Sequence, residues 1–390
     1  METFNFEVKT KLFFGNSREN EIGKILQEYN FSNVVLLIGK GSVKRSGLLD
    51  KVINSLNKNN INFLLLEGIR PNPTIQFVYE NLDKVKSFKP DCLLAIGGGS
   101  VIDTAKNLAC AYYYEGDSFD FNLHKEEASK ALPIGVILTI AASGSEMSTS
   151  CVIQDDERQI KSGFNSELVR PLFVIESPEL TYSVDKLQTA YGVVDILMHT
   201  LERYFGQSNE SELADGLAEG LLREVIKAGE VAYNDPTNYQ ARKTLLVASS
   251  ISHSGHTSIV KKFKMPIHQL EHVISAVYPN IAHAAGLAVI WPSYANIYLD
   301  VDLDKFNKLS ENVFHSFIKD KRQNAIFGIQ CLINYFKKLN MPLSFRDLGI
   351  ENPNIELLVE LFSKGGTRMV DHHIQPLDKE IAYKIYKGCL

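Results

Sequence analysis

Residues 92–100 read CLLAIGGGS, and residues 101–109 continue as VIDTAKNLA. An uninterrupted apolar run ends in three glycines, and a helical pattern begins at once. Such a run reads as a strand buried on both faces, as in a parallel sheet. Gly97, Gly98 and Gly99 put no β-carbon in the way of a ligand that approaches the backbone. The helix that follows offers unpaired N–H groups and the positive end of its dipole to an anion. Ser100 is expected to cap that helix, with Asp103 three residues on completing a capping-box-like pattern. The turn is neither the GxGxxG fingerprint nor a Walker loop, since no Gly-Lys-Ser/Thr follows. A plain strand–turn–helix corner is the alternative.

The alternation extends in both directions. Val34–Ile38, Phe63–Leu66, Ile134–Ile140 and Leu172–Ile175 read as further buried strands, with helical stretches over Ser46–Asn57, Thr74–Phe88 and Val101–Tyr113. Strands alternating with helices imply a parallel sheet covered on both faces. After Pro178 β-branched runs become scarce, and long amphipathic stretches dominate: Thr189–Phe205, Leu213–Ala232, Asn238–Ser252 and Lys305–Leu339. The expected architecture is a Rossmann-like α/β dinucleotide-binding domain over residues 1–178 and an all-α domain over 179–390. A second polar turn, TIAASGSE from Thr139 to Glu146, follows the strand at Ile134–Ile140. Open α/β sheets bind ligands at such strand ends, although a simple loop fits this segment as well.

The chain has 390 residues, 45% of them hydrophobic and 22% charged, and a net charge of −5. That composition belongs to a globular protein with room for two cores. It argues against a nucleic-acid binder, which needs a basic face. The block Lys261-Lys262-Phe263-Lys264 reads as a solvated patch. No basic segment followed by an apolar core opens the chain, so no signal peptide is expected. No apolar run approaches the roughly 18 residues of a membrane span. The five cysteines include no CxxC pair and fit free thiols in a reducing cytoplasm.

One carboxylate and several histidines fall at ligand spacing. Asp195 and His199 are i and i+4 within TAYGVVDILMHTLERYF (189–205) and share a helix face. His268 and His272 repeat that spacing in PIHQLEHVISAVYPNIAHAA (266–285), and His283 follows a Pro279-Asn280 turn. A carboxylate with imidazoles suits Fe²⁺ or Zn²⁺, whereas calcium would want more oxygens. Each also has a plainer reading: His199 as a hydrogen-bonded core histidine, His268 and His272 as a surface stripe. His253 and His256 read as structural or outlying. His372 and His373 are adjacent, and their side chains diverge in a strand or loop, so they are not placed on a shared metal.

These pieces, in this order, resemble the iron-containing (group III) alcohol dehydrogenase family, in particular its NADPH-dependent butanol dehydrogenase-like branch. The carriers are PNPT (71–74), GGGSVIDTAK (97–106), SGSE (143–146), DILMH (195–199), and HQLEH (268–272) followed by His283, and the likeness runs from Phe4 to Tyr386. The resemblance implies a dehydroquinate synthase-like architecture and a cytoplasmic homodimer. It implies an NAD(P)-dependent enzyme moving a hydride between a small primary alcohol or aldehyde and the cofactor. The metal ligands it implies are Asp195, His199, His268 and His283, with Fe²⁺ bound and Zn²⁺ accepted by the same set. His272 matches the histidine near the nicotinamide and is the candidate catalytic residue.

Implied cofactor contacts are Asn72, Gly97, Gly98, Gly99, Ser100, Asp103, Thr139, Ser143 and Lys161. The turn Gly39-Lys40-Gly41-Ser42 lacks the aspartate that NAD-preferring relatives often place there. With Lys44 and Arg45 beside it, it suits a 2′-phosphate, so NADP(H) is the expected preference. Glu176 replaces a usual aspartate, and the separation of His268 from His283 is one residue longer than the common pattern. Glycerol dehydrogenase-like relatives share the glycine turn but tend to lack the third imidazole, and a non-catalytic dinucleotide-binding protein is the remaining alternative.

Overall fold

Six strands form one parallel sheet: β1 (Lys11–Phe14), β2 (Asn33–Gly39), β3 (Asn62–Ile69), β4 (Cys92–Gly97), β5 (Ile134–Leu138) and β8 (Phe173–Glu176), in the spatial order β1-β8-β5-β4-β2-β3. The computed structural model describes residues 5–206, 211–370 and 375–390. Every residue of β4 and β5 is buried, which is why these strands read as continuous apolar runs rather than alternating ones. Helices α1 (Ile22–Glu28), α2 (Ser42–Arg45), α3 (Leu48–Lys58), α4 (Ile75–Phe88) and α5 (Gly99–Ala111) connect them. The sheet packs a core on each face, one around Val35, Leu93 and Val136 and the other around Leu36, Leu94 and Ile137. β6 (Ser150–Asp155) and β7 (Ile160–Asn165) form a separate antiparallel hairpin.

Strand order decides where this unit can hold a ligand. From β2 the chain moves outward to β3, then returns to the other side of β2 for β4, with Ile38 level with Ile96. The crevice at such a reversal, beyond the carboxyl ends of the strands, is the general ligand position of open α/β sheets. The two turns that leave β2 and β4 there are Gly39–Ser42 and Gly97–Gly99.

The remaining helices are α6 (Lys186–Tyr204), α7 (Glu212–Asn234), α8 (Tyr239–His253), α9 (Pro266–Val277), α10 (His283–Tyr298), α11 (Leu303–Phe314), α12 (Lys321–Lys338), α13 (Ile355–Ser363) and α14 (Lys379–Lys387). The expected single stretch at 305–339 is two helices. His315 adopts φ 53° and closes α11, and the Asp320 side chain accepts from Gln323 N to open α12. The chain divides into two compact units, Glu7–Val184 with Pro236–Ser250, and Asp185–Asp235 with Ile251–Leu390 and Met1–Phe6. Residues 236–250 thus belong to the α/β unit: Leu246 lies in its core and Ser249 Oγ accepts from Ala142 N at 3.1 Å.

Lys261 is not part of a solvated patch. It is buried and donates to Asp215 Oδ1 at 2.8 Å and Tyr204 O at 2.9 Å. A buried charge persists only when paired in this way, and Asp215, 46 residues away, gives the local sequence no sign of it. The five cysteines are free, four of them buried. Among the described residues, no helix is long and apolar enough to cross a membrane.

Candidate metal centre and cofactor turns

Helix α6 carries Asp195 and His199 on one buried face, and α9 and α10 bring the other histidines to it. Three nitrogens surround Asp195 Oδ1: His199 Nδ1 at 3.3 Å, His268 Nε2 at 3.6 Å and His283 Nε2 at 4.0 Å. The rings of His199 and His268 lie 4.4 Å apart, and those of His268 and His283 5.2 Å. Asp195 Oδ1, His199 Nδ1 and His268 Nε2 are buried and lack any hydrogen-bond partner. One buried polar atom without a partner costs roughly 1–3 kcal/mol. Three that converge within 4.8 Å of one another fit a common cation, and the donor set of carboxylate and imidazole suits a first-row divalent metal.

Two further carboxylates complete the arrangement. Glu202, one helical turn beyond His199, pairs its Oε2 with His268 Nδ1, while its Oε1 accepts from the backbone N–H groups of Ile267 at 2.6 Å and His268 at 3.4 Å. The N-cap of α9, Met265, offers no acceptor, so Glu202 caps this helix from α6. Glu271 is fully buried and pairs with His283 Nδ1, and Ser275 Oγ also donates to it. A carboxylate on one imidazole nitrogen fixes the tautomer and leaves the other nitrogen as the metal-facing lone pair.

Burial and the adjacent imidazoles of His268 and His253 hold His199 well below its ordinary value, so it is neutral and can donate a lone pair. Burial also opposes charge on His268, but Glu202 and Asp195 more than offset this and push it up to about 9.

The last ligand candidate depends on a turn. Ile281 N donates to Tyr278 O at 3.0 Å across Pro279-Asn280, and His283 is then the first residue of α10. His272 lies with its ring 5.7 Å from that of His283 and groups with Glu271 and His283. His253 approaches His199 ring to ring at 4.4 Å. His256 is taken up elsewhere, its Nδ1 2.6 Å from Ser254 Oγ and its ring edge-on to Phe6. His372 and His373 lie outside the described residues.

In the α/β unit the glycine turn has a different logic from open access. A β-carbon on Gly98 would stand 2.4 Å from Ile140 Cγ2, and one on Gly99 2.4 Å from Ser143 Oγ. The glycines therefore let the second polar turn close onto the first, with Thr139 N donating to Gly97 O at 3.1 Å. The helix α5 begins at Gly99 with Gly98 as N-cap. Ser100 lies inside the helix, contrary to the expected cap, and Asp103 makes no capping box. Asp103 instead accepts from Ser145 Oγ at 2.6 Å and Val152 N at 3.1 Å. These contacts tie it to the second polar turn and to β6.

Elsewhere Lys161 donates to Asn72 Oδ1 at 3.0 Å, which joins two further candidates. At the other turn Gly41 has φ 135°, and Arg45 Nη1 would lie 3.1 Å from a β-carbon there. Lys44, expected as a second cation, is ion-paired with Glu67.

A carboxyl pair not singled out as site residues is formed by Glu146, in the second polar turn, and Glu176, the last residue of β8. Ser250 Oγ is 2.7 Å from Glu176 Oε1 and 2.9 Å from Glu146 Oε1. One hydroxyl has one proton, so one of these contacts must use a carboxyl proton. Burial, then the charge of Glu146, pushes Glu176 up to about 8. A carboxyl that keeps its proton in the fold stabilises it fully below the ordinary glutamate value of 4.5. That contribution is lost as pH rises through about 8. Glu176→Gln keeps the neutral shape without the titration. Its Tm relative to the parent should rise from pH 5 to pH 9, by an amount on the order of a few kcal/mol in stability. A difference independent of pH would mean that the pair holds no proton.

Comparison with known proteins identifies the family. The family model for iron-containing alcohol dehydrogenase matches residues 9–178, and the C-terminal model of the Fe-containing alcohol dehydrogenase family matches residues 189–388. The chain is 37% identical to NADH-dependent butanol dehydrogenase A of Clostridium acetobutylicum over 391 residues, 99% of each protein. It is 30% identical to the NADPH-dependent aldehyde reductase YqhD of Escherichia coli over the whole of both chains. The crystal structure of NADH-dependent butanol dehydrogenase A from Thermotoga maritima superposes with a TM-score of 0.95 at 32% identity, covering 100% of this chain and 99% of that one.

Proposed function

This chain belongs to the iron-containing alcohol dehydrogenase family and is a nicotinamide-dependent oxidoreductase, and on that premise we propose that it interconverts small primary alcohols and aldehydes with NADP(H) and a divalent metal ion. The observation that carries the reading is the convergence of Asp195, His199 and His268 through buried atoms without hydrogen-bond partners, with His283 aimed at the same oxygen.

When bound, the metal supplies Lewis-acid polarisation of the substrate oxygen and the nicotinamide supplies or accepts the hydride. Asp195, His199, His268 and His283 would hold the ion, Fe²⁺ by family and Zn²⁺ by the same donor chemistry. Three neutral imidazoles and one carboxylate would leave a divalent ion with a net positive charge. Glu202 and Glu271 keep His268 and His283 turned so that Nε2 faces inward. His272 is the group assigned to pass the hydroxyl proton. On the cofactor side, the N–H groups that open α5 at Gly99 and Ser100 would take the pyrophosphate, alongside Gly97 and Gly98. Thr139, Ser143, Asn72 and Lys161 would take the nicotinamide ribose.

Preference between the two dinucleotides is the finer part of the reading. The names of the relatives are divided, so the argument rests on the turn after β2. Gly39, Lys40, Gly41 and Ser42 carry no carboxylate, and Arg45 overlies the turn. One charge-assisted hydrogen bond to a 2′-phosphate contributes roughly 1.5 kcal/mol, about tenfold. Protein purified without oxygen, analysed for metal and assayed with butanal, should contain iron or zinc and favour NADPH over NADH by about that factor in kcat/KM. Equal efficiency with NADH would refute the preference, and undiminished turnover after complete metal removal would refute the mechanism.

A further inference from the structure

Lys106, one turn beyond Asp103 on α5, is completely buried. Its ammonium lies within hydrogen-bond distance of five oxygens: Ser145 O at 2.7 Å, Ser145 Oγ at 2.8 Å, Ser148 O at 3.0 Å, Ser148 Oγ at 3.2 Å and Ser150 O at 2.7 Å. An ammonium has three protons to donate, so the protein already offers more acceptors than it can use. Lys106 therefore has nothing left to give a ligand. All five acceptors belong to the segment Ser145–Ser150, which runs from the second polar turn into β6.

Asp103, one turn earlier on the same helix, grips the start of this segment through Ser145 Oγ and the strand that follows it through the backbone N–H of Val152. Ser145 N in turn lies 3.3 Å from Ser143 Oγ, the hydroxyl that sits over Gly99 at the start of α5. A buried cation thus ties three backbone carbonyls and two hydroxyls to the helix whose N-terminus faces the crevice. Burying an ammonium is costly, and a turn that needed only to be folded could be held by neutral groups.

We propose that Lys106 is a positioning residue for the cofactor, fixing the Ser143–Ser150 segment over the N-terminus of α5 so that the Ser143 hydroxyl meets the pyrophosphate and nicotinamide half of the dinucleotide. This rests on the reading of these turns as the cofactor site. The adenosine end, assigned to the turn Gly39–Ser42, is held by other residues and does not depend on it.

The test separates the two ends. Binding of NADPH and NADH, followed by nicotinamide fluorescence, and binding of AMP, followed by competition, are measured on metal-loaded protein and on Lys106→Met. Misplacing a binding group by about an ångström weakens its contribution by ten- to about a hundredfold. Lys106→Met should therefore bind both dinucleotides at least tenfold more weakly, raise the cofactor KM more than it lowers kcat, and leave AMP affinity and metal content unchanged. Equal losses for AMP and dinucleotide, or no loss for either, would overturn the proposal. If Lys106→Met does not fold, Ser145→Ala decides by the same comparison, since it removes the hydroxyl shared by Lys106 and Asp103. Failure of the parent protein itself to bind any dinucleotide would instead remove the underlying reading of the site.

Discussion

Asp195→Ala should lose the bound metal and at least about a thousandfold in kcat/KM, while its far-ultraviolet spectrum stays that of the parent. Asp195 is the one carboxylate that all three candidate imidazoles approach, at 3.3, 3.6 and 4.0 Å. Without it the ligand set is neutral, and its remaining negative charge lies on Glu202 and Glu271, which are occupied by the Nδ1 atoms of His268 and His283. Lewis-acid stabilisation contributes several kcal/mol to such a reaction, and each 1.4 kcal/mol or so is a factor of ten. The fold should tolerate the change. Asp195 Oδ1 has no hydrogen-bond partner, so its removal breaks no hydrogen bond that holds the fold. Metal analysis together with steady-state kinetics checks the prediction, and a variant that retained stoichiometric metal would transfer the ligand role to another residue.

Much of this site was legible because helical spacing is local. Asp195 and His199 announce a shared face by their separation alone, and the apolar run of β4 announces a buried strand. What could not be read is whatever depends on a partner distant in sequence. Glu202 touches His268 across 66 residues, yet its position one turn past His199 on the same helix was available as a signal. Glu271 lies inside the HQLEH motif, between His268 and His272, but its partner His283 is 12 residues away beyond a turn, so the motif alone does not show the pairing. Ser100 looked like a cap by residue type, but the strand runs one residue further than its last branched side chain. The turn is therefore made of Gly98 alone, and Ser100 falls within the helix.

The same distinction explains the missed strands. β1 is four residues long, KLFF, with only Phe13 buried, too short and too half-exposed to stand out. The β6–β7 hairpin is rich in serine and charge, and its inward residues are Cys151, Ile153 and Phe164. Lys106 and Asp103 bond to its first strand at Ser150 O and Val152 N, contacts across more than 40 residues that no window along the chain displays. Conversely, the break between α11 and α12 was readable: Asp320, followed three residues later by Gln323, is an N-cap pattern that the continuous amphipathic stretch concealed.

His283→Ala and His272→Ala should part company, the first losing metal and the second keeping it. His268 and His272 share a face of α9 one turn apart, so either could in principle reach a cation, as paired histidines do in HExxH sites. The extra residue before His283 would then be harmless and His283 spare. Three features favour His283 as the ligand. The turn at Tyr278–Ile281 absorbs the added residue, and α10 starts at His283 itself. Glu271 takes its Nδ1, the outer contact that turns Nε2 toward a metal. That Nε2 lies 4.0 Å from Asp195 Oδ1. Removing a ligand with its own supporting carboxylate should weaken metal binding by more than the 10–100-fold typical of losing the support alone, and Glu271 is left buried without its imidazole. His272→Ala should retain metal while lowering kcat by about 10²–10⁴-fold, the usual range for a group that transfers a proton. It should also flatten one limb of the pH–rate profile. Metal analysis and pH profiles of the two variants, prepared in parallel without oxygen, decide the matter: metal kept in His283→Ala and lost in His272→Ala would exchange their roles.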